Sequence, residues 1–324
     1  MVLSAAISAP PFERGGPKVS QRLVAVFSHV VTDEVYTADG RPAAREVGGA
    51  GAYAATGASL VSAPWGTVIV SGVGAADRGR LSRWFRRREV DPAGLFEIGE
   101  HSPVTRVRYL SDGERVEESV FGDAHFAAHT PFPGRSPVGP DRLAGVYLFH
   151  GTDERYWGEV AALRPRWRGP VLWEIAADAC TPAERGRVTE LAGLVDVLSL
   201  NSAEAAALTG EPDPRDALAA LPGDDLVVVL RCGAAGSLVR DGARIWQVGV
   251  APGPVADPTG GGNAYSGAFL AAYLSTGDAP ASARAAAAAA SRVIAQYGAP
   301  GVGPRERDET RRAARRVTVG AITP

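Results

Sequence analysis

Lysine is almost missing from this chain: Lys18 is the only one among 34 basic residues. No Gly-Lys-Ser/Thr occurs, which excludes a P-loop lysine. Cysteine is also scarce. Cys180 and Cys232 cannot build a disulfide framework and lack the neighbours of a zinc site, so reduced thiols and a cytoplasmic location are expected. No apolar run approaches the length of a membrane span. The opening "MVLSAAISAP" has no basic leader and meets prolines early, so residues 1–20 read as a loose extension and not as a secretory signal. A formal charge of -2, with arginine mixed among acids, leaves no field suited to nucleic acid. The expected partner is a small molecule, with no nucleic acid and no membrane. Nor does any linker or charge block divide the 324 residues, so one core with insertions is expected over 21–315, with 316–324 as a tail.

What is present is an alternation. Six short apolar runs, at 23–30, 66–74, 145–151, 170–175, 195–200 and 225–233, read as strands covered on both faces. Between them, 49–61, 80–90, 181–194 and 201–210 are long enough for crossover helices. This is the pattern of an α/β fold with a mostly parallel, doubly wound sheet and helices on both faces. Segments 34–47 and 103–121 instead alternate polar and apolar residues like exposed hairpins, and predict a small accessory β lid. The charge run "ERDETRRAARRV" reads as a solvated terminal helix.

In such sheets ligands sit beyond the carboxyl ends of the strands. Four places there carry chemistry. Gly260, Gly261 and Gly262, followed by Asn263, open an apolar helix, where backbone N–H groups and the helix dipole would attract an anion; a tight turn with Asn263 as N-cap is the plainer account. Asn201 and Glu204 have capping-box spacing, and a carboxylate there would also order the waters of a phosphate-bound magnesium. Gly48, Gly49 and Gly51 open another helix and would admit a substrate close to the backbone, or simply allow tight packing. Asp33 follows the first strand and would accept hydrogen bonds from substrate hydroxyls. His125 and His129 share helical i, i+4 spacing, but no third ligand is evident. His150 and Asp153, beyond a strand end, would line the substrate site or cap the next helix.

Taken in order, these motifs resemble the ribokinase, or PfkB-type, carbohydrate kinase family over about residues 22–305. "VGGAGAYAA", "SGVGAADRG", "REVDPAGL", "LSLNSAEAAALTG", "VVVLRCGAAGSLV" and "DPTGGGNAYSGAFLAAY" carry the resemblance. It implies a Rossmann-like core with a β lid, ATP with Mg2+, in some members K+, and transfer of the γ-phosphoryl group to a hydroxyl of a sugar, nucleoside or related polyol. Carried onto this chain, it implies that Asn201, Glu204, Arg231, Gly233 and Gly236 meet the nucleotide, with Glu204 reaching Mg2+ through water. Asp33, Gly48, Gly49, Tyr53 and Glu174 would meet the substrate, Asp257 and Thr259 a monovalent cation, and two lids would pair in a homodimer.

The departure is Asn263, where the family has its aspartate base. "VLWEIAADACTPAE" with "DPTGGGN" is similar to the maintenance-of-killer-like branch, which pairs a Trp-Glu strand end with an asparagine. General base catalysis supplies roughly 10²- to 10⁴-fold, and positioning and electrostatics most of the rest of phosphoryl transfer. A kinase with altered catalysis is therefore expected, with Asp33 or Glu174 as substitute bases. On sequence grounds Asn263→Asp should raise transfer roughly 10²-fold if proton removal limits it. The alternative is a catalytically lapsed protein that binds a nucleotide or sugar and acts as a sensor or assembly partner.

Overall fold

The computed structural model describes residues 23–37, 39–109, 115–223 and 225–322, so the extension 1–20 lies outside the described residues. The first strand, β1 (Leu23–Phe27), precedes a hairpin of β2 (Val31–Tyr36) and β3 (Pro42–Gly48). Then come α1 (Ala50–Val61), β4 (Thr67–Val73), α2 (Ala75–Arg86) and β5 (Val90–Glu97). A second hairpin, β6 (Val104–Tyr109) and β7 (Arg115–Ser119), leads through the short α3 (Asp123–Ala128) to β8 (Leu143–His150). The remaining parallel units are α4 (Glu154–Leu163), β9 (Val171–Ile175), α5 (Arg185–Ala192), β10 (Val197–Asn201), α6 (Ser202–Thr209), α7 (Pro214–Ala220) and β11 (Val227–Arg231). The chain closes with β12 (Ser237–Asp241), β13 (Arg244–Val248), α8 (Gly261–Thr276), α9 (Ala279–Val293), α10 (Pro304–Ala314) and β14 (Val319–Ile322).

Ten strands form the main sheet in the order β14-β13-β12-β11-β10-β9-β8-β1-β4-β5, parallel from β11 to β5 and antiparallel beyond β11. Strand alternation sorts the core into two layers. From β1, Val24 and Val26 join α1, α8 and α9, while Leu23, Ala25 and Phe27 join α4 and α5 on the opposite face. The apolar runs are continuous because both faces are covered.

The two polar–apolar segments form the separate four-stranded sheet β3-β2-β6-β7. Two antiparallel hairpins meet through a parallel β2–β6 pair, with Asp33 opposite Thr105. The first of these strands begins earlier than the pattern suggested, at Val31.

Three expectations need adjustment. The helix read over 80–90 ends at Arg86, since Glu89 takes a positive φ of 51° and Val90 enters β5 as a buried residue. The segment 316–324, read as a tail, contributes a strand to the main sheet, because Val319–Ile322 pairs with β13. Nor is α10 wholly solvated: Arg307 is 4% exposed, bonds the carbonyls of Ser59 and Ser62, and pairs with Glu89. A charge run hides such a residue because its inward face is paired with acids and carbonyls instead of being apolar.

Candidate active site

Small residues let the two glycine-opened helices touch backbone to backbone. A Cβ on Gly57 of α1 would overlap Ala264 of α8, and one on Gly267 would overlap Ala54. This crossing brings both helix mouths to one cavity of about 1010 Å³, roofed by β2, β3, β6 and β7. Asp33, Gly49, Tyr53, Asp257, Thr259, Gly260 and Asn263 all line it.

At the α1 mouth, the Asp33 carboxylate packs so tightly on Gly48 that a Cβ would overlap it. Gly49 takes φ 81°, and a side chain there would come within 2.8 Å of the His29 carbonyl oxygen. These two glycines therefore serve the approach of Asp33 and of the β1 end to the helix.

At the α8 mouth each glycine makes room for a different neighbour: Gly260, in the left-handed region at φ 74°, for the Tyr53 ring, Gly261 for Ile294, and Gly262 for the Arg231 guanidinium. Tyr53, 6% exposed, thus braces the loop from the cavity wall. The Gly261 N–H is already bonded to the Pro258 carbonyl. The following N–H groups lie in the first helical turn, where no intrahelical carbonyl reaches them and an anion is favoured.

Behind Asn263 stands a buried ionic knot. Glu174, 2% exposed, forms an ion pair with Arg231 Nη1 at 2.8 Å and accepts from Asn263 Nδ2 at 3.0 Å on Oε1, and from the Tyr147 hydroxyl at 2.9 Å on Oε2. Burial, and secondarily the Glu174 charge, push the Tyr147 phenol well above its ordinary range, so it remains a donor. Glu174 does not line the cavity; Asn263 stands between. Arg231 also faces Glu204 at 3.6 Å, and its Nε is buried without a partner.

Asn201 and Glu204 form the capping box that their spacing predicts: Asn201 Oδ1 accepts from Glu204 N at 2.9 Å and Glu204 Oε2 from Asn201 N at 2.7 Å. Burial raises the Glu204 carboxyl, opposed by the Asn201 N–H and by Arg231. Gly233 and Gly236 bound a tight turn from β11 to β12, with φ of 57° and 87°. Asp257 Oδ1 accepts the Thr259 N–H at 2.9 Å, which closes the loop before α8. The chain has only two asparagines, Asn201 and Asn263, and both stand at helix mouths beside Arg231 and its acids.

The expectation that His150 and Asp153 line the substrate site falls away. His150 stacks on Tyr156 with centroids 3.8 Å apart, Asp153 caps α4 through Tyr156 N, and neither lines the cavity. His129 is buried, with its two ring nitrogens on the carbonyls of His125 and Ile98; among the described residues no group of three or more His, Cys, Asp and Glu is arranged for a metal. Ser28, His29, Phe126, Phe149, Glu46 and Glu117 line the cavity unforeseen. The signal for Ser28 and His29 was their place directly after β1, before Asp33. The His29 ring stacks on Phe126 at 4.0 Å and its Nε2–H donates to the Phe126 carbonyl. Burial lowers its pKa to about 4, so the ring is neutral at physiological pH. The Ser28 hydroxyl is buried with no partner.

No helix among the described residues is long and apolar enough to cross a membrane. Residues 175–302 match the pfkB family carbohydrate kinases, a span that includes Asn201, Glu204, Arg231 and the α8 mouth but neither Asp33 nor Glu174. The chain is similar to the cytidine kinase of Thermococcus kodakarensis, 27% identical over 270 residues that cover 76% of this chain and 87% of that one. Its fold is similar to the adenosine kinase of Sinorhizobium meliloti (TM-score 0.71, 18% identity, 91% and 100% of the two chains covered). It is also similar to a putative ribokinase II of E. coli solved with ATP and Mg2+ (TM-score 0.70, 17% identity, 91% and 99% covered). With the family match over 175–302 and the long relative in sequence, and the shared fold in structure, the chain has a ribokinase-like fold and is similar to the ribokinase/PfkB-type kinases.

Proposed function

We propose that the chain is an ATP-dependent small-molecule kinase that transfers the γ-phosphoryl group to a hydroxyl of a sugar, nucleoside or related polyol. One observation carries the reading: the first turn of α8, Asn263 and Asp33 open into the same roofed cavity. There the helix mouth would meet the transferred phosphate, and Asp33 the acceptor's hydroxyls. Gly233 and Gly236, at the end of β11, would let the nucleotide approach the backbone.

A magnesium ion fits this donor set without a protein cage. Mg2+ keeps most of its waters and takes one or two carboxylates besides phosphates, and Glu204 has an oxygen other than the one committed to Asn201. When bound with ATP the ion neutralises charge on the phosphates. Asp257 and Thr259 are the residues that a monovalent cation would approach, although their mutual bond already accounts for their placement. Within the family, the Glu174 and Asn263 pair favours the maintenance-of-killer-like branch.

The acceptor is uncharged in this reading. Asp33, Glu46, Glu117 and Asp257 line the cavity, and no arginine or lysine does among the described lining residues, so a sugar already carrying phosphate would be repelled. Similarity to a cytidine kinase makes nucleosides the first acceptors to test. The second reading, a nucleotide- or sugar-binding protein without turnover, is favoured by Asn263 alone.

Calorimetry with ATP and Mg2+, followed by a coupled ADP-release screen over nucleosides, free sugars and sugar phosphates, tests both. Transfer to an uncharged acceptor supports the kinase. ATP binding with no transfer across the screen leaves the binding protein, and no nucleotide binding at millimolar concentration removes the kinase and the nucleotide-binding form of the second reading.

A further inference from the structure

We propose that Glu174 is a positioning residue: it fixes the Asn263 amide with its carbonyl oxygen toward the cavity, so that Asn263 orients the acceptor hydroxyl and transfer proceeds with no base at that place. The inference rests on the kinase reading above.

Its physical basis is the one-sided chemistry of a carboxylate. Paired with Arg231 at 2.8 Å, Glu174 only accepts hydrogen bonds, so the amide beside it must present its NH₂. The opposite flip would set the amide oxygen against Glu174 Oε1 and strip the NH₂ of that partner. With Nδ2 held at 3.0 Å on the buried side, Oδ1 is the end left for the cavity that Asn263 lines. Glu174 cannot itself meet the substrate. It is 2% exposed, lies outside the cavity wall, and receives Arg231, Asn263 and Tyr147.

The step balances without a side-chain base. The acceptor oxygen bonds to the γ-phosphorus as the bond from that phosphorus to the β,γ-bridging oxygen breaks and ADP leaves. The hydroxyl proton, directed at Asn263 Oδ1 before reaction, passes to a non-bridging oxygen of the transferred group and then to water. In a loose transition state that proton departs late, so orientation contributes more than basicity.

The arrangement also reverses the sequence-based expectation for Asn263→Asp. A carboxylate oxygen in place of Nδ2 would face Glu174 Oε1, and two carboxylates at that spacing cannot both ionise freely.

The test compares the wild type with Glu174→Gln, Asn263→Asp and the double exchange. It uses kcat against pH, nucleotide affinity by calorimetry, and the side-chain amide spectrum of protein labelled with ¹⁵N-asparagine, in which only Asn201 and Asn263 report. The expected wild-type kcat shows no ionisation across the carboxylate range. Glu174→Gln can offer Asn263 either end of its own amide, and should lower kcat roughly 10²-fold by misorientation with nucleotide affinity retained. The Asn263 amide signals should move in that variant while those of Asn201 stay. Asn263→Asp alone should also lose activity, and the double exchange should exceed both singles and gain an acid limb.

A wild-type acid limb in the carboxylate range would overturn the proposal, in favour of Glu174 as base where Glu174→Gln abolishes it, and Asn263→Asp exceeding wild type would overturn it too. Both leave the kinase reading intact, whereas absence of any transfer by wild type removes that reading first. Should Glu174→Gln fail to fold, the wild-type pH profile and Asn263→Asp still decide.

Discussion

Gly57 of α1 lies against the backbone of Ala264 in α8 with no room for a single methyl group between them. The contact sets the distance between the two helix mouths that open into the cavity. Gly57→Ala should therefore cost about 1–3 kcal/mol through overpacking. It should also raise KM for the acceptor more than for the nucleotide, because Asp33 and Asn263 are carried by opposite sides of that contact. Urea denaturation and steady-state kinetics on the same preparation check both.

Two glycines of the turn from β11 to β12 differ in the space beside them. Gly233 has a positive φ and nothing within 4 Å of an added Cβ, while Gly236 has a positive φ and a Cβ that would overlap the Val248 carbonyl. Gly233→Ala should cost about 1 kcal/mol, the left-handed backbone alone. Gly236→Ala should cost distinctly more, since β12 and β13 must also part. Thermal unfolding of the pair ranks them, and equal losses would contradict the account.

Arg307 ties the last helix to the first half of the chain. Removing its side chain leaves Glu89 without its cation and frees the carbonyls of Ser59 and Ser62. Arg307→Ala should lose about 3 kcal/mol, as for other buried pairs broken on one side. Arg307→Lys should recover only part, because one ammonium cannot span those partners as the guanidinium fork does. Denaturant unfolding of both variants measures the gap.

The histidines predict a pH dependence with a definite sign. His29 is held neutral by burial, with its pKa lowered from 6.5 to about 4. The unfolded chain then binds a proton that the folded chain refuses between those values, so stability falls as pH drops from about 6.5 toward about 4. That difference corresponds to about 3 kcal/mol for His29. Burial lowers His150 as well, and the effects share a direction. His29→Gln should flatten the profile between about pH 6.5 and about pH 4, measured by urea unfolding at each pH.

The strands and the two-sheet division were legible because each reports its own surroundings: a continuous apolar run for a covered strand, alternation for the lid. The glycines at 48, 49 and 260–262 were legible as places of close approach, but not what approaches, since Tyr53, Ile294 and Arg231 come from distant segments. Glu174 and Asn263 were each visible at a strand end and a helix mouth. That they bond to one another was not, because 88 residues lie between them and only the crossing of α8 over the sheet brings them together. Arg307 was misread for a related reason: a buried cation looks like its solvated neighbours until its partners are known.

The place of β1 has a consequence for synthesis. It lies between β4 and β8, with Leu23 opposite Leu143. Made at about 5–20 residues per second, the chain emerges from the ribosome with its first strand waiting roughly ten seconds for that second neighbour. During that interval Ala25 and Phe27, which end up in the core layer that holds residues of α4 and α5, have no layer to cover them. The nascent chain is thus most open to aggregation before β8 arrives, and slower translation of residues 74–143 would lengthen that exposure and so lower the yield of folded protein.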